Sequence, residues 1–327
     1  MRGNDGVFAY EQVVESERLV TRGRSLRYSW MVLLGLLKAG SAGTGVDPAE
    51  LKRLLLAELD APDLSPGDYG LALWADARSG HEATDRILEA QQRALALTGF
   101  EALEGLDVAW VAIGAETAGA AADRILDEAR ARLLARADTP SGLLLHHEAG
   151  GRARLPNFAT QIYGVLALTR LARRRDDGEA REAAVKVADA LLRLQLADGA
   201  WPWIYEVNKG AVIEPYRLYS VHQDAMAPMA LLELSDVTGD DRYRDAALRG
   251  LGWIWGGNEL GAEMLDREAG MLYRSINRRG LRDRVCLWAN SLTGRQLFGW
   301  PGPAVVERTD RPYHLGWVLE AWGASAS

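Results

Sequence analysis

Two kinds of helical segment alternate along this chain, and that alternation limits what it can fold into. In 49–59 (AELKRLLLAEL), 83–97, 121–135, 180–195 and 241–255, apolar residues recur at three- and four-residue spacing opposite a charged face. Between them lie 30–37, 67–77, 106–119, 158–172, 221–234 and 284–298, which are less charged and apolar on most sides. A one-sided stripe lets a helix lie half in solvent, whereas a helix apolar all round has to be buried. The order inner, outer, inner, outer predicts an array of helical hairpins with six inner members, built as one domain over 1–327. A further helix is expected over 9–21, and an amphipathic piece at 313–323 closes the chain.

Connection lengths say where function sits. Inner-to-outer turns are short, as in RRRDDGEAR, while the outer-to-inner connections at 137–157, 197–220 and 259–283 are long. Hairpins that alternate in direction put the long connections at one end, the natural place for a site. Each long connection has a glycine followed by an extended segment: SGLLLHHEAGG from Gly142, DGAWPWIYEVNKG from Gly199, AGMLYRSINRRG from Gly270. Counted from the glycine, His146, Trp203 and Arg274 share one position, and Glu148, Tyr205 and Ile276 another. Such positions are expected to face one centre. The second connection alternates Trp201, Trp203, Tyr205 and Val207 on one face and turns at Asn208-Lys209-Gly210. The neighbours His146 and His147 are expected to point opposite ways on an extended segment, so no metal site is expected there or elsewhere.

Composition narrows the partners. A net charge of −7 argues against a basic nucleic-acid-binding face. The run Arg173-Arg174-Arg175 falls at a helix end, where cations complement the helix dipole. The apolar stretch 30–37 is too short to span a bilayer, and the first residues, MRGNDGVFAYEQVVES, hold no secretory core, so a cytoplasmic location is expected. A single cysteine, Cys286, excludes an internal disulfide. The sequence has no glycine-rich phosphate loop, no G-x-S-x-G and no dinucleotide fingerprint, and no cofactor is expected.

The segment LLRLQLADGAWPW (191–203), with Gln195, Gly199 and Trp201, looks like the Q-x-x-x-G-x-W signature of several (α/α)6 toroid proteins. That group includes six-hairpin glycosidases, uronate-processing lyases and epimerases, and the terpenoid-cyclase and prenyltransferase folds. The resemblance implies an all-α toroid of alternating inner and outer helices, with short β-hairpins in the long loops at one end. A longer stretch, GAWPWIYEVNKGAVIEPYRLYSVHQDAMAPMALLEL followed by TGDDRYRDAAL, is similar to the carboxy-terminal domain of the D-glucuronyl C5-epimerases. The matching positions are Gly199, Trp201, Pro202, Tyr219, Ser220 and Gln223, then Tyr313 and His314. This chain departs from the pattern at His222-Gln223-Asp224, where that family has smaller residues.

The resemblance implies proton abstraction alpha to a sugar carboxylate. That reaction needs a base on one face, an acid on the other and positive charge for the forming anion. Tyr219 and Tyr313 are the candidate pair, with His222 and Asp224 beside Tyr219, and Arg217, Arg274 and Arg282 suit the carboxylate. Trp201, Trp203, Tyr205, Glu214, Tyr216, Gln223, His146 and His314 complete the candidate substrate contacts. A lyase shares the first step. A glycosidase would use Asp224 with Glu148, Glu206 or Glu214. Isoprenoid chemistry is a weaker alternative. No D-x-D-D occurs, and Asp283, Cys286 and His314 lack the prenyltransferase zinc spacing. A noncatalytic glycan-binding protein would show an aromatic cleft without a matched acid and base.

Overall fold

The computed structural model describes residues 1–16, 18–278, 280–296 and 302–323. Its helices are α1 Leu26–Ala39, α2 Pro48–Ala57, α3 Pro66–Arg78, α4 Thr84–Thr98, α5 Gly105–Ala118, α6 Asp123–Ala137, α7 Phe158–Arg175, α8 Gly178–Leu194, α9 Ala227–Thr238, α10 Asp241–Ile254, α11 Leu281–Thr293 and α12 Pro312–Trp322. Its strands are short: β1 Glu11–Glu15, β2 Arg18–Arg22, β3 Ile204–Glu206, β4 Ala211–Glu214, β5 Leu218–Tyr219, β6 Leu265–Asp266, β7 Met271–Leu272, β8 Ser275–Arg278, β9 Ala304–Glu307 and β10 Thr309–Asp310. The chain divides into two compact units. One comprises Met1–Leu103, Asp107–Arg130 and Thr309–Ser327, and the other Glu104–Leu106 and Ala131–Arg308.

In the first unit α1, α3 and α12 are buried on most sides. Their starts are fixed locally. The Ser25 side chain accepts from the Tyr28 N–H, and Ser65 and Asp68 form a capping box behind Pro66. The helices pack through small residues. A Cβ on Gly35 of α1 would lie 2.2 Å from the Gly316 carbonyl oxygen of α12, so only glycine allows this crossing. Trp74 stacks on Trp317, with centroids 5.9 Å apart, and the Arg78 guanidinium holds the buried Glu320 carboxylate.

The helix expected over 9–21 is instead an antiparallel hairpin. β1 pairs with β2 from Glu11↔Arg22 to Glu15↔Arg18, and β10 adds to the other edge of β1. The β-branched Val13, Val14, Val20 and Thr21 favour the pleat over the helix, and Ser16 takes the turn at φ 48.

In the second unit α7 is buried along most of its length and α8 lies against it with one apolar stripe. Asn157, Asp177 and Asp240 cap α7, α8 and α10 with their side chains. The Q-x-x-x-G-x-W signature is a clip. The Gln195 amide donates to the Gly199 carbonyl at 2.8 Å and to the Ala246 carbonyl at 2.9 Å. Gly199 sits at φ 86, and a Cβ there would lie 2.5 Å from the Arg249 carbonyl oxygen.

The segment expected as the sixth inner helix, 284–298, overlaps α11, and its residues 297–298 lie outside the described residues. Leu281, Val285, Trp288 and Leu292 of α11 are exposed, and only Asp283 and Asn290 of the helix are buried. In the first unit α12 is buried instead, where Gly316 permits close packing and Trp317 fills the space beside it. No helix among the described residues is long and apolar enough to cross a membrane.

Candidate active site

The polar end of the second unit's inner helices is built around Tyr219. β5 pairs with β8, Tyr219 facing Ser275. The Ser220 N–H donates to the Arg274 carbonyl at 2.9 Å, and its hydroxyl to the Tyr273 carbonyl at 2.5 Å. These bonds bring Arg274 over the Tyr219 ring, its guanidinium carbon 5.1 Å from the centroid. Arg217 donates to the Tyr219 hydroxyl oxygen at 3.2 Å. Glu307 on β9 completes the group. It lies 3.9 Å from the Arg274 guanidinium and accepts from Ser275 Oγ and Asn277 Nδ2, both at 2.7 Å. The buried Arg274 Nε has no hydrogen-bond partner among the described residues.

His222 opens a single π-helical turn, His222–Met226, that runs into α9. The Ala227 N–H bonds the His222 carbonyl five residues back. Pro228 accounts for the wide turn: it has no N–H for the Asp224 carbonyl, so the ladder resets around it. The imidazole of His222 packs among three rings. It stacks on Trp203 at 5.5 Å, and lies 4.6 Å from Phe158 and 5.1 Å from Tyr219. Trp203 also meets Tyr219 edge-on at 4.9 Å.

Trp203 and Arg274, matched by position in the sequence, thus converge on Tyr219. Trp203 is half-buried, but its neighbours on the same hairpin face, Trp201, Tyr205 and Val207, are fully buried and point into the core. Trp201 stacks on Phe158 at 5.5 Å. The Tyr205 hydroxyl donates to the Pro202 carbonyl, and burial pushes its phenol well above the usual range. Gln223 is a buried brace. Its oxygen accepts from the Trp201 N–H at 2.9 Å and its amide donates to the Tyr219 carbonyl at 3.0 Å. Asp224 is buried in the same π-turn. Glu214 on β4 is half-buried. Burial raises its carboxyl to about 7, against the opposing pull of Arg217. Tyr216 lies under the Arg278 guanidinium at 4.8 Å, and burial raises its phenol.

His146, the third matched position, lies elsewhere in the second unit. Its Nδ1 is 2.8 Å from Thr160 Oγ1 and its Nε2 3.8 Å from Glu104. The segment around it bends instead of forming a strand, and the rings of His146 and His147 lie 4.6 Å apart, against the expectation that they diverge. Burial lowers the His146 pKa. Glu148 is exposed and paired with Arg132 and Arg136.

Tyr313 and His314 belong to the first unit, at the start of α12. Tyr313 packs on Tyr28 at 4.5 Å, and Tyr28 on Tyr10 at 5.5 Å. Arg311 lies 4.0 Å from the Tyr10 centroid and donates to the Tyr28 hydroxyl at 2.6 Å. His314 is buried. Sequence reasoning missed Tyr10, Tyr28, Arg311 and Glu307: residues 9–21 read as a helix, and the strand pairings of β1 with β10 and of β8 with β9 join segments far apart in the chain.

No protein-family model matches the sequence, and no curated protein sequence matches it. Solved structures do. Cellobiose 2-epimerase from Bacillus thermoamylovorans superposes with a TM-score of 0.65 at 10% identity, covering 98% of this chain and 93% of that one. A D-mannose isomerase gives 0.65 at 14% identity over 96% and 91%. An unsaturated glucuronyl hydrolase specific for heparin gives 0.63 at 13% identity over 98% and 90%. The chain has the fold of these (α/α)6 toroid enzymes, all-α with small β-hairpins in its connections.

Proposed function

We propose that the chain is a carbohydrate-active enzyme that moves a proton on a sugar carbon acidified by a neighbouring carboxylate, as a uronate epimerase or lyase. One observation carries the reading: Tyr219 has Arg217 at its hydroxyl and Arg274 over its ring, and its ring packs against those of His222 and Trp203. Rings of this kind stack on the apolar face of a sugar, and guanidinium forks suit its carboxylate. His222 or Tyr219 takes the C5 proton, and the electron pair moves into the carboxylate facing the guanidinium groups. A proton returned to the opposite face inverts C5, whereas loss of the C4 substituent gives an unsaturated sugar. Two of the similar folds act in sugar epimerisation or isomerisation and a third on an unsaturated glucuronyl sugar, which supports a carbohydrate substrate.

The test is NMR of the protein with uronic-acid oligosaccharides in D2O. Loss of the H5 signal that vanishes in Tyr219→Phe and His222→Asn establishes the reading. Intact H5 on every uronate substrate overturns it. A second reading rests on Glu214, whose carboxyl near 7 suits a general acid for hydrolysis. Sugar release without deuterium uptake, lost in Glu214→Gln or Asp224→Asn, favours that reading.

A further inference from the structure

We propose that Glu104, His146 and His147 bind one divalent transition-metal ion of the zinc class. Their ligand atoms all lie within 4.8 Å of one another, and His146 Nε2 is 3.8 Å from Glu104 Oε1. Two imidazoles and one carboxylate, with a fourth position left for water, make a donor set that zinc takes. Ligand atoms around tetrahedral zinc lie about 3.4 Å apart, given bonds of about 2.0–2.2 Å. The observed separations exceed that spacing by about 1.4 Å at most, and Glu104 and His147, which must draw in, are half-exposed.

The surroundings are arranged as for a ligand set. Thr160 Oγ1 at 2.8 Å holds His146 Nδ1, which fixes the ring and leaves Nε2 for the metal. The backbone is pinned on both sides of that ring. The Gly105 N–H donates to the His146 carbonyl at 2.8 Å, and the His146 N–H to the Ala153 carbonyl at 2.8 Å. Two of the nearby cations share another partner. Arg132 and Arg136 pair with Glu148 at 2.6 and 3.4 Å, which leaves Glu104 as the carboxylate facing the histidines. Arg152 is a further positive charge near His146. A bound ion ties the start of α5 to the connection that leads into α7.

The experiment uses the full chain, treated with a chelator and titrated with Zn2+ by calorimetry, with elemental analysis of the product. One zinc per chain, micromolar or tighter, is expected. Co2+ in its place gives the visible bands of a four-coordinate ion. His147→Ala and Glu104→Gln weaken binding by about 100-fold or more, and Thr160→Val by about 10–100-fold. Zinc raises the melting temperature of the wild-type chain and not that of His147→Ala. Substoichiometric or millimolar zinc in the wild-type chain overturns the proposal without reference to any variant. Wild-type affinity in folded His147→Ala or Glu104→Gln does so as well.

Discussion

The indole of Trp203 lies against the imidazole of His222, with ring centroids 5.5 Å apart and planes 19° from parallel. The same indole meets Tyr219 edge-on. One half-buried side chain thereby orients both rings to which the proposed chemistry assigns a proton. Trp203→Ala is expected to lower kcat/KM for deuterium exchange by about 100-fold through lost orientation, with Trp203→Phe recovering most of it. Initial exchange rates measure this, and circular dichroism checks the fold.

Tyr219→Phe deletes one oxygen and keeps the ring that Arg274 covers. Exchange is expected to fall by about 100-fold to 10,000-fold. Stability should change by about 1 kcal/mol, the worth of the bond from Arg217. A large loss of stability with exchange intact would assign Tyr219 to the scaffold.

Glu214 makes stability depend on pH in a stated direction. Its carboxyl is raised from 4.5 to about 7, so between those values the folded chain keeps a proton that the unfolded chain has released. Stability contributed by this group is complete below the lower value and falls as pH rises toward the upper one, by about 3 kcal/mol in all. Glu214→Gln removes that decline. Urea midpoints at about pH 5 and about pH 8, compared between wild type and variant, measure the difference.

Gly199 and Gly178 differ as sites for alanine. Gly199 has φ 86 and a carbonyl 2.5 Å from where the Cβ would go, whereas nothing lies within 4 Å of the Cβ position at Gly178. Gly199→Ala is expected to cost more than about 1 kcal/mol and Gly178→Ala to be neutral or stabilising by about 0.5–1 kcal/mol. Thermal melts separate the two.

The alternation of inner and outer helices was legible because burial writes itself into periodicity, as the all-round apolar faces of α3 and α7 show. The errors fall where that signal fails. Residues 11–22 carry polar and β-branched residues together, and their hairpin depends on pairing across the turn at Ser16. α11 reads as apolar yet stays exposed, while α12 is buried because Gly316 lets it approach α1. Within the site, position from the glycine brought Trp203 and Arg274 together. The same count could not reveal that Trp201 and Tyr205 turn inward, nor that the chain bends at His146 and brings its ring beside His147.

The π-turn at His222–Met226 also bears on how such a site changes over time. A turn that holds one surplus residue can lose it and tighten toward α-helix, with Pro228 still leaving one ladder bond unmade at the start of α9. Each residue of an α-helix advances the side chains by about 100°. Deleting one residue there would swing His222 away from Trp203 while the helix stayed in place. A single-codon deletion is therefore a short evolutionary route by which this scaffold could exchange the residue it presents and keep its fold.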